Sequence, residues 1–164
     1  MNESQKYLKE AFKHLQLADH LMYVTLPIVK EKRLLIKILE EIYKAIINSI
    51  YALFYYNNES INVKISETED TINNFFKIAN KYPFTSKQIK TIKEIIEIFD
   101  EHKKSVMEFV KKEKVVIMSD KLKTKLLDII TLKDYLYTLK EFLVILSKET
   151  NGSKNNKEKI KENY

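Results

Sequence analysis

The chain holds one glycine, Gly152, in 164 residues. Glycine takes positive φ without steric cost, so tight hairpins, β-bulges and phosphate-cradling loops lean on it. Only Pro27 and Pro83 interrupt the rest. A chain this poor in turn residues, and this rich in Lys, Glu, Ile and Leu, is expected to be all-α. The predicted architecture is a single-domain up-and-down bundle of four to five long helices over residues 1–148. A short irregular or extended segment is expected near 111–128 and a disordered polar tail over 149–164. The scarcity of glycine also excludes a Walker loop, a dinucleotide fingerprint and a nucleophile elbow.

Hydrophobic periodicity places the helices. Leu8, Ala11, Phe12, Leu15, Ala18 and Met22 recur on one face of a helix over Ser4–Tyr23, which Pro27 is expected to end because the residue before proline avoids the α region. Lys30–Tyr56 forms the second and most apolar helix, with Lys37, Glu41, Lys44 and Asn48, joined by Glu40, as its narrow polar stripe. A helix so apolar must be covered on most sides, either as the centre of the bundle or in a dimer interface through Ile50, Leu53, Phe54 and Tyr55. Asn48 and Ser49 are read as a buried polar pair fixing helix register. Ser66 with Glu69, and Thr85 with Gln88, read as capping boxes opening the next two helices. The third helix is expected to run to about Tyr82, and the fourth to carry Ile89, Ile92, Ile95, Ile96 and Phe99 and to continue toward Val110. Val115-Val116-Ile117-Met118 fits an extended segment, a small hairpin arm or a helix continuation. Thr131 with Asp134 starts the last helix, whose apolar face is Leu132, Tyr135, Leu136, Leu139, Phe142, Leu143 and Leu146.

Composition narrows the function classes. The chain has no cysteine, so disulfides, thiolate zinc sites and cysteine nucleophiles are excluded. Met1–Lys9 is polar and lacks the apolar run of a signal peptide, and the longest nearly uncharged stretch, Ala45–Tyr56, is too short for a membrane span. The expectation is a cytoplasmic protein without a membrane partner. Net charge is +6, with Arg33 the sole arginine. A basic excess points toward nucleic acid, yet arginine is the better bidentate phosphate ligand, and a composition rich in Lys, Ile and Asn often reflects an A/T-rich genome rather than function.

Few residues suggest chemistry. His14 and His20 lie six apart, about 240° around a helix, and cannot share a metal; no metal and no cofactor is expected. His102 and Glu101 are the candidates for acid and base, although an exposed helix surface of mixed charge is the plainer reading. The stretch from Glu101 to Lys125 is the most basic part of the chain, and Lys103, Lys104, Lys111, Lys112, Lys114, Lys121, Lys123 and Lys125 are the candidate nucleic-acid contacts. Tyr43, Tyr51, Tyr55 and Tyr56 lack nearby lysines and read as core packing rather than a base-stacking platform.

Ala18-Asp19-His20-Leu21 through Pro27, the long Leu34–Tyr56 helix, and His102-Lys103-Lys104-Ser105-Val106-Met107-Glu108-Phe109 followed by Val115–Asp120 resemble the HEPN superfamily of prokaryotic helical bundles, most of all an archaeal branch of it. The resemblance covers about residues 4–148 and rests on helix pattern. It implies a four- or five-helix bundle, often dimeric, of the kind found in RNA-processing and toxin–antitoxin systems. Catalytic members carry an arginine followed, after four to six residues, by a histidine. Here Ile38, Leu39 and Glu40 stand where the histidine would follow Arg33, so no nuclease residue carries over. The expected function is a non-catalytic binding module that contacts RNA through its basic surface. The alternatives are a protein–protein adaptor or dimerisation subunit and, last, a ribonuclease-like hydrolase using Glu101 and His102.

Overall fold

A computed structural model describes the backbone of residues 2–57 and 69–161, and side chains as far as residue 151. The Ser66 capping box lies outside the described residues. Helix α1, Glu3–His20, opens on Asn2, whose side chain accepts from the Gln5 backbone N–H at 2.9 Å. The expected stop before Pro27 does not occur. The chain passes through a π-helical turn, Leu21–Thr25, into α2, Leu26–Val29. There the Leu26 N–H reaches back to the Leu21 carbonyl. Pro27 thus falls in the first turn of α2, where its missing N–H costs least. Lys30, at φ 55°, closes the segment in the left-handed region.

Helix α3, Leu34–Tyr56, is the centre of the bundle: α1 packs along it, and α4 (Glu69–Ala79), α5 (Ser86–Lys104) and α6 (Ile129–Lys161) all contact it. Ile38, Leu39, Ile42, Ile46, Ile50 and Leu53 are fully enclosed, each contributing about 2 kcal/mol by burial. The Ser4 hydroxyl, buried at the start of α1, donates to the Ala52 carbonyl at 2.7 Å and pins the two helices together. The expected buried polar pair forms only in part: Ser49 is buried but Asn48 is partly exposed, and the two donate to the Ala45 and Lys44 carbonyls one turn back in α3. Tyr43 stacks on Phe99, and Tyr55 and Tyr51 pack on Tyr7. Both halves of the Thr85–Gln88 capping box form at the start of α5.

The fold is mostly helical but not purely so. Helix α5 stops at Lys104 rather than continuing toward Val110. Ser105 turns extended, its hydroxyl donating to the His102 carbonyl at 2.8 Å, and the Val106 N–H bonds across to the Met118 carbonyl. Strands β1 (Met107–Lys111), β2 (Lys114–Met118) and β3 (Thr124–Leu127) then form an antiparallel sheet in the order β1-β2-β3. The β1–β2 hairpin closes on two residues, Lys112 and Glu113, at φ 49° and 67°, the pairing of a type I′ turn. Glycine scarcity therefore does not prevent a hairpin. Lys and Glu occupy left-handed positions at a cost of about 1 kcal/mol each, which pairing and packing of the β-branched strand β2 offset. Helix α6 begins before Thr131, because the Asp128 carboxylate accepts from the Thr131 N–H at 2.7 Å. Its backbone stays helical past Glu149, where a disordered tail is expected from the sequence. Thr150 is buried and donates to the Leu146 carbonyl. The Lys- and Glu-rich text beyond it has helix propensity though no apolar period.

Candidate functional site

Two polar clusters meet the central helix on neighbouring residues. Glu41 is 2% exposed, yet three cationic or donor groups reach it: His14 Nδ1 at 2.6 Å from Oε2, Lys37 Nζ at 2.9 Å and Lys44 Nζ at 3.2 Å from Oε1. Since an ionised carboxylate only accepts, that His14 nitrogen carries the proton. Burial pushes the Glu41 pKa upward, but the hydrogen bonds from His14, Lys37 and Lys44 more than reverse it, leaving a value of about 2. Glu40, the next residue, lies 3.5 Å from His102 Nε2. His102 Nδ1 pairs with Glu108 on β1, and the Ser105 hydroxyl is 2.8 Å from the same Glu108 oxygen. Adjacent glutamates thus tie α3 to α1 on one side and to α5 and the sheet on the other.

This arrangement bears on the acid–base candidates. Both His102 ring nitrogens are directed at carboxylates of the chain itself, so neither is presented to a substrate. Glu101 projects about 100° away around α5. The cluster is a clasp between helix and sheet. Sequence reading missed the glutamate partners of both histidines, although Lys37, Glu41 and Lys44 at helical spacing on an otherwise apolar helix were the available signal. Among the described residues, no group of three His, Asp or Glu side chains is placed to hold a metal ion, and no helix is long and apolar enough to cross a membrane.

The candidate lysines do not converge on one patch. Lys103 and Lys104 end α5, the first lying over the Phe99 and Tyr43 rings and the second paired with Asp100 at 2.8 Å; Tyr43 thus has a lysine beside it, against the expectation, while its ring stays buried. Lys111, Lys112 and Lys114 sit at the β1–β2 hairpin, Lys121 and Lys123 in the β2–β3 connection, and Lys125 on β3. Five residues of strand, about 14 Å, separate the two ends. The interface candidates Ile50, Leu53 and Phe54 are buried in the chain's own core and Tyr55 is half-buried against Tyr7. A partner cannot reach the first three in this fold.

Exposed apolar side chains occur on the π-helical turn and α2, at Tyr23, Val24, Ile28 and Val29, and on the sheet. Register puts Phe109, Val116 and Leu126 in one cross-strand row and Met107, Met118 and Thr124 in the next, all on one face. Val115, Ile117 and Leu127 take the opposite face and join the core. Of the outward row residues Met107 is 55% and Leu126 53% exposed, Phe109 and Met118 are partly covered and Val116, at the centre, is buried; Val106 and Leu122 at the same end of the sheet are 65% and 75% exposed. A separate cleft of about 580 Å³ between α3, α4 and α5 is lined by Tyr43, Phe76 and Lys93 among others; its acids and lysines balance, so it favours no sign of ligand charge. No protein-family model, no curated protein and no solved structure matches this chain.

Proposed function

We propose that the chain is a non-catalytic binding module that docks a protein partner on the outer face of the β1-β2-β3 sheet, acting in the reducing cytoplasm that a cysteine-free chain suits. The single observation that carries the reading is the exposure of Met107 and Leu126 on one sheet face, with Leu122 exposed in the turn that follows partly covered Met118. Flexible aliphatic and thioether side chains gathered on a flat face suit a protein surface. Stacking of nucleic-acid bases asks for exposed aromatics, and Phe109, the ring on this face, is partly covered. The likeness to HEPN bundles is compatible with such a role, since the Arg-to-His spacing of the nucleases is missing.

RNA contact is the second reading, supported by the lysines at both ends of the sheet. The two are separated by photocrosslinking. A photoreactive phenylalanine derivative is placed at Leu126, and at exposed Ile130 on α6 as control, and adducts formed in cells are sorted by protease and nuclease sensitivity. Protein adducts specific to position 126 are expected. Nucleic-acid adducts there would overturn protein docking in favour of RNA, and adducts of the chain with itself would make the face a homodimer interface.

A further inference from the structure

Resting on the docking reading above, we infer that the sheet face takes an amphipathic helical segment of a partner protein, apolar along one side and acidic at both margins. The charge around the face argues for the acidic margins. Lys111 lies on the outward face at the hairpin end, and Lys121 and Lys123 bracket Leu122 at the other. Among the described residues none of these three lysines has a carboxylate within ion-pair distance. Glu113 is engaged by Lys32 at 2.6 Å, Glu108 by His102 and Asp128 by Lys114, and Asp120, exposed beside Lys121, still leaves the rim net basic. Unpaired lysines around a desolvated apolar centre complement an anionic rim. The same like-charged rim sets two copies of the chain against each other.

Shape argues for a helix on the face rather than a strand on the edge. Three strands span about 10 Å and their length is about 14 Å, the footprint of an α-helix of two to three turns, about 10 Å across. Edge pairing is poorly served, because both edge strands are short, β1 of five residues and β3 of four, and they carry Lys111 and Lys125, the usual guard against strand addition. An anionic bilayer is disfavoured for another reason: the patch is a flat sheet without the exposed Trp or Tyr that anchors proteins at an interface.

Leu122 is the independent sign that the patch serves contact. It holds φ 58° in the β2–β3 turn while its side chain is 75% exposed. A branched residue gains nothing for the fold there; Gly or Asn would fill the position at lower cost. Lys30, Lys112 and Glu113 share the left-handed backbone; what sets Leu122 apart is that its side chain is apolar and exposed beside the patch.

The test uses the full chain and a fluorescent helical peptide of about 14 residues, roughly four turns, with Leu on one face and Glu at both margins. A twin carries Lys in place of Glu. Anisotropy is expected to show saturable binding of the acidic peptide and at least about tenfold weaker binding of the basic twin, a gap of about 1.4 kcal/mol. Leu126→Asp and Leu122→Asn are each expected to weaken the acidic peptide about tenfold or more. Leu122→Asn is also expected to raise Tm, so loss of binding by that variant is not loss of fold. Equal binding of the twins, indifference to both substitutions, or no binding of the acidic peptide would overturn the inference. So would sedimentation with phosphatidylserine–phosphatidylcholine vesicles that Leu126→Asp abolishes and the peptide does not compete. Protein crosslinks at position 126 together with no peptide binding would sink the acidic-helix inference alone; absence of protein crosslinks would sink the docking reading itself.

Discussion

Replacing Glu41 by Gln tests the buried clasp on the central helix. The carboxylate is held at a pKa of about 2 against an ordinary 4.5. A folded-state pKa below the unfolded one means that the unfolded chain binds the proton more readily. The stabilisation is therefore complete above pH 4.5 and is lost as the pH falls toward 2. The fall from 4.5 to about 2, at 1.36 kcal/mol for each tenfold change in proton affinity, is about 3 kcal/mol, a large share of a small domain's stability. Glu41→Gln keeps the volume and removes the charge on which His14, Lys37 and Lys44 converge. Urea unfolding at pH 7 is expected to show the variant about 3 kcal/mol less stable. The gap should shrink steadily below pH 4.5 and fall to about 1 kcal/mol by pH 2.5. Subtracting variant from parent removes the titration of every other shared carboxylate. A gap at pH 7 below about 1 kcal/mol, or one that does not change with pH, would refute the view that Glu41 is a charged anchor.

Lys112→Asn combined with Glu113→Gly gives the hairpin the residues its left-handed turn prefers; it is expected to raise stability by about 1 kcal/mol, read as a higher urea midpoint with unchanged slope. Asp128→Ala removes the acceptor for the Thr131 N–H and should cost about 1 kcal/mol; at pH 2 the difference from the parent should narrow, because hydrogen bonding by Thr131 holds the Asp128 pKa below its ordinary value. Ile46→Ala opens a cavity in a fully enclosed site and should cost about 2–5 kcal/mol by chemical denaturation. His102→Ala breaks the contacts to Glu40 and Glu108 and leaves partly buried Glu108 with the Ser105 hydroxyl but no cation, so hydrogen exchange should speed up selectively in β1; protection unchanged there would count against the clasp.

The helices were legible because their information is local. The 3–4 spacing of Leu8, Ala11, Leu15 and Ala18, the Thr85–Gln88 box and the nearly continuous apolar text of Leu34–Tyr56 each state their structure within a few turns, and burial follows from period alone. The central position of α3 was open to a second reading as an interface, and only packing of α1, α4, α5 and α6 around it decided that Ile50, Leu53 and Phe54 are core. The sheet was hidden for a related reason. Val106, Met107, Phe109 and Val110 fit helical spacing, and no glycine marks the turns at Lys112–Glu113 or Leu122. What overrides local preference is the long-range pairing of β1 with β2 and β3 and the burial of Val115, Ile117 and Leu127 against the bundle. The partners of the histidines belong to the same class. His14 and Glu41 are 27 residues apart, and proximity of that kind is written in tertiary packing rather than in any spacing. The exposed face of the sheet is likewise a remainder: strand alternation defines it, and the bundle decides which side stays open to solvent.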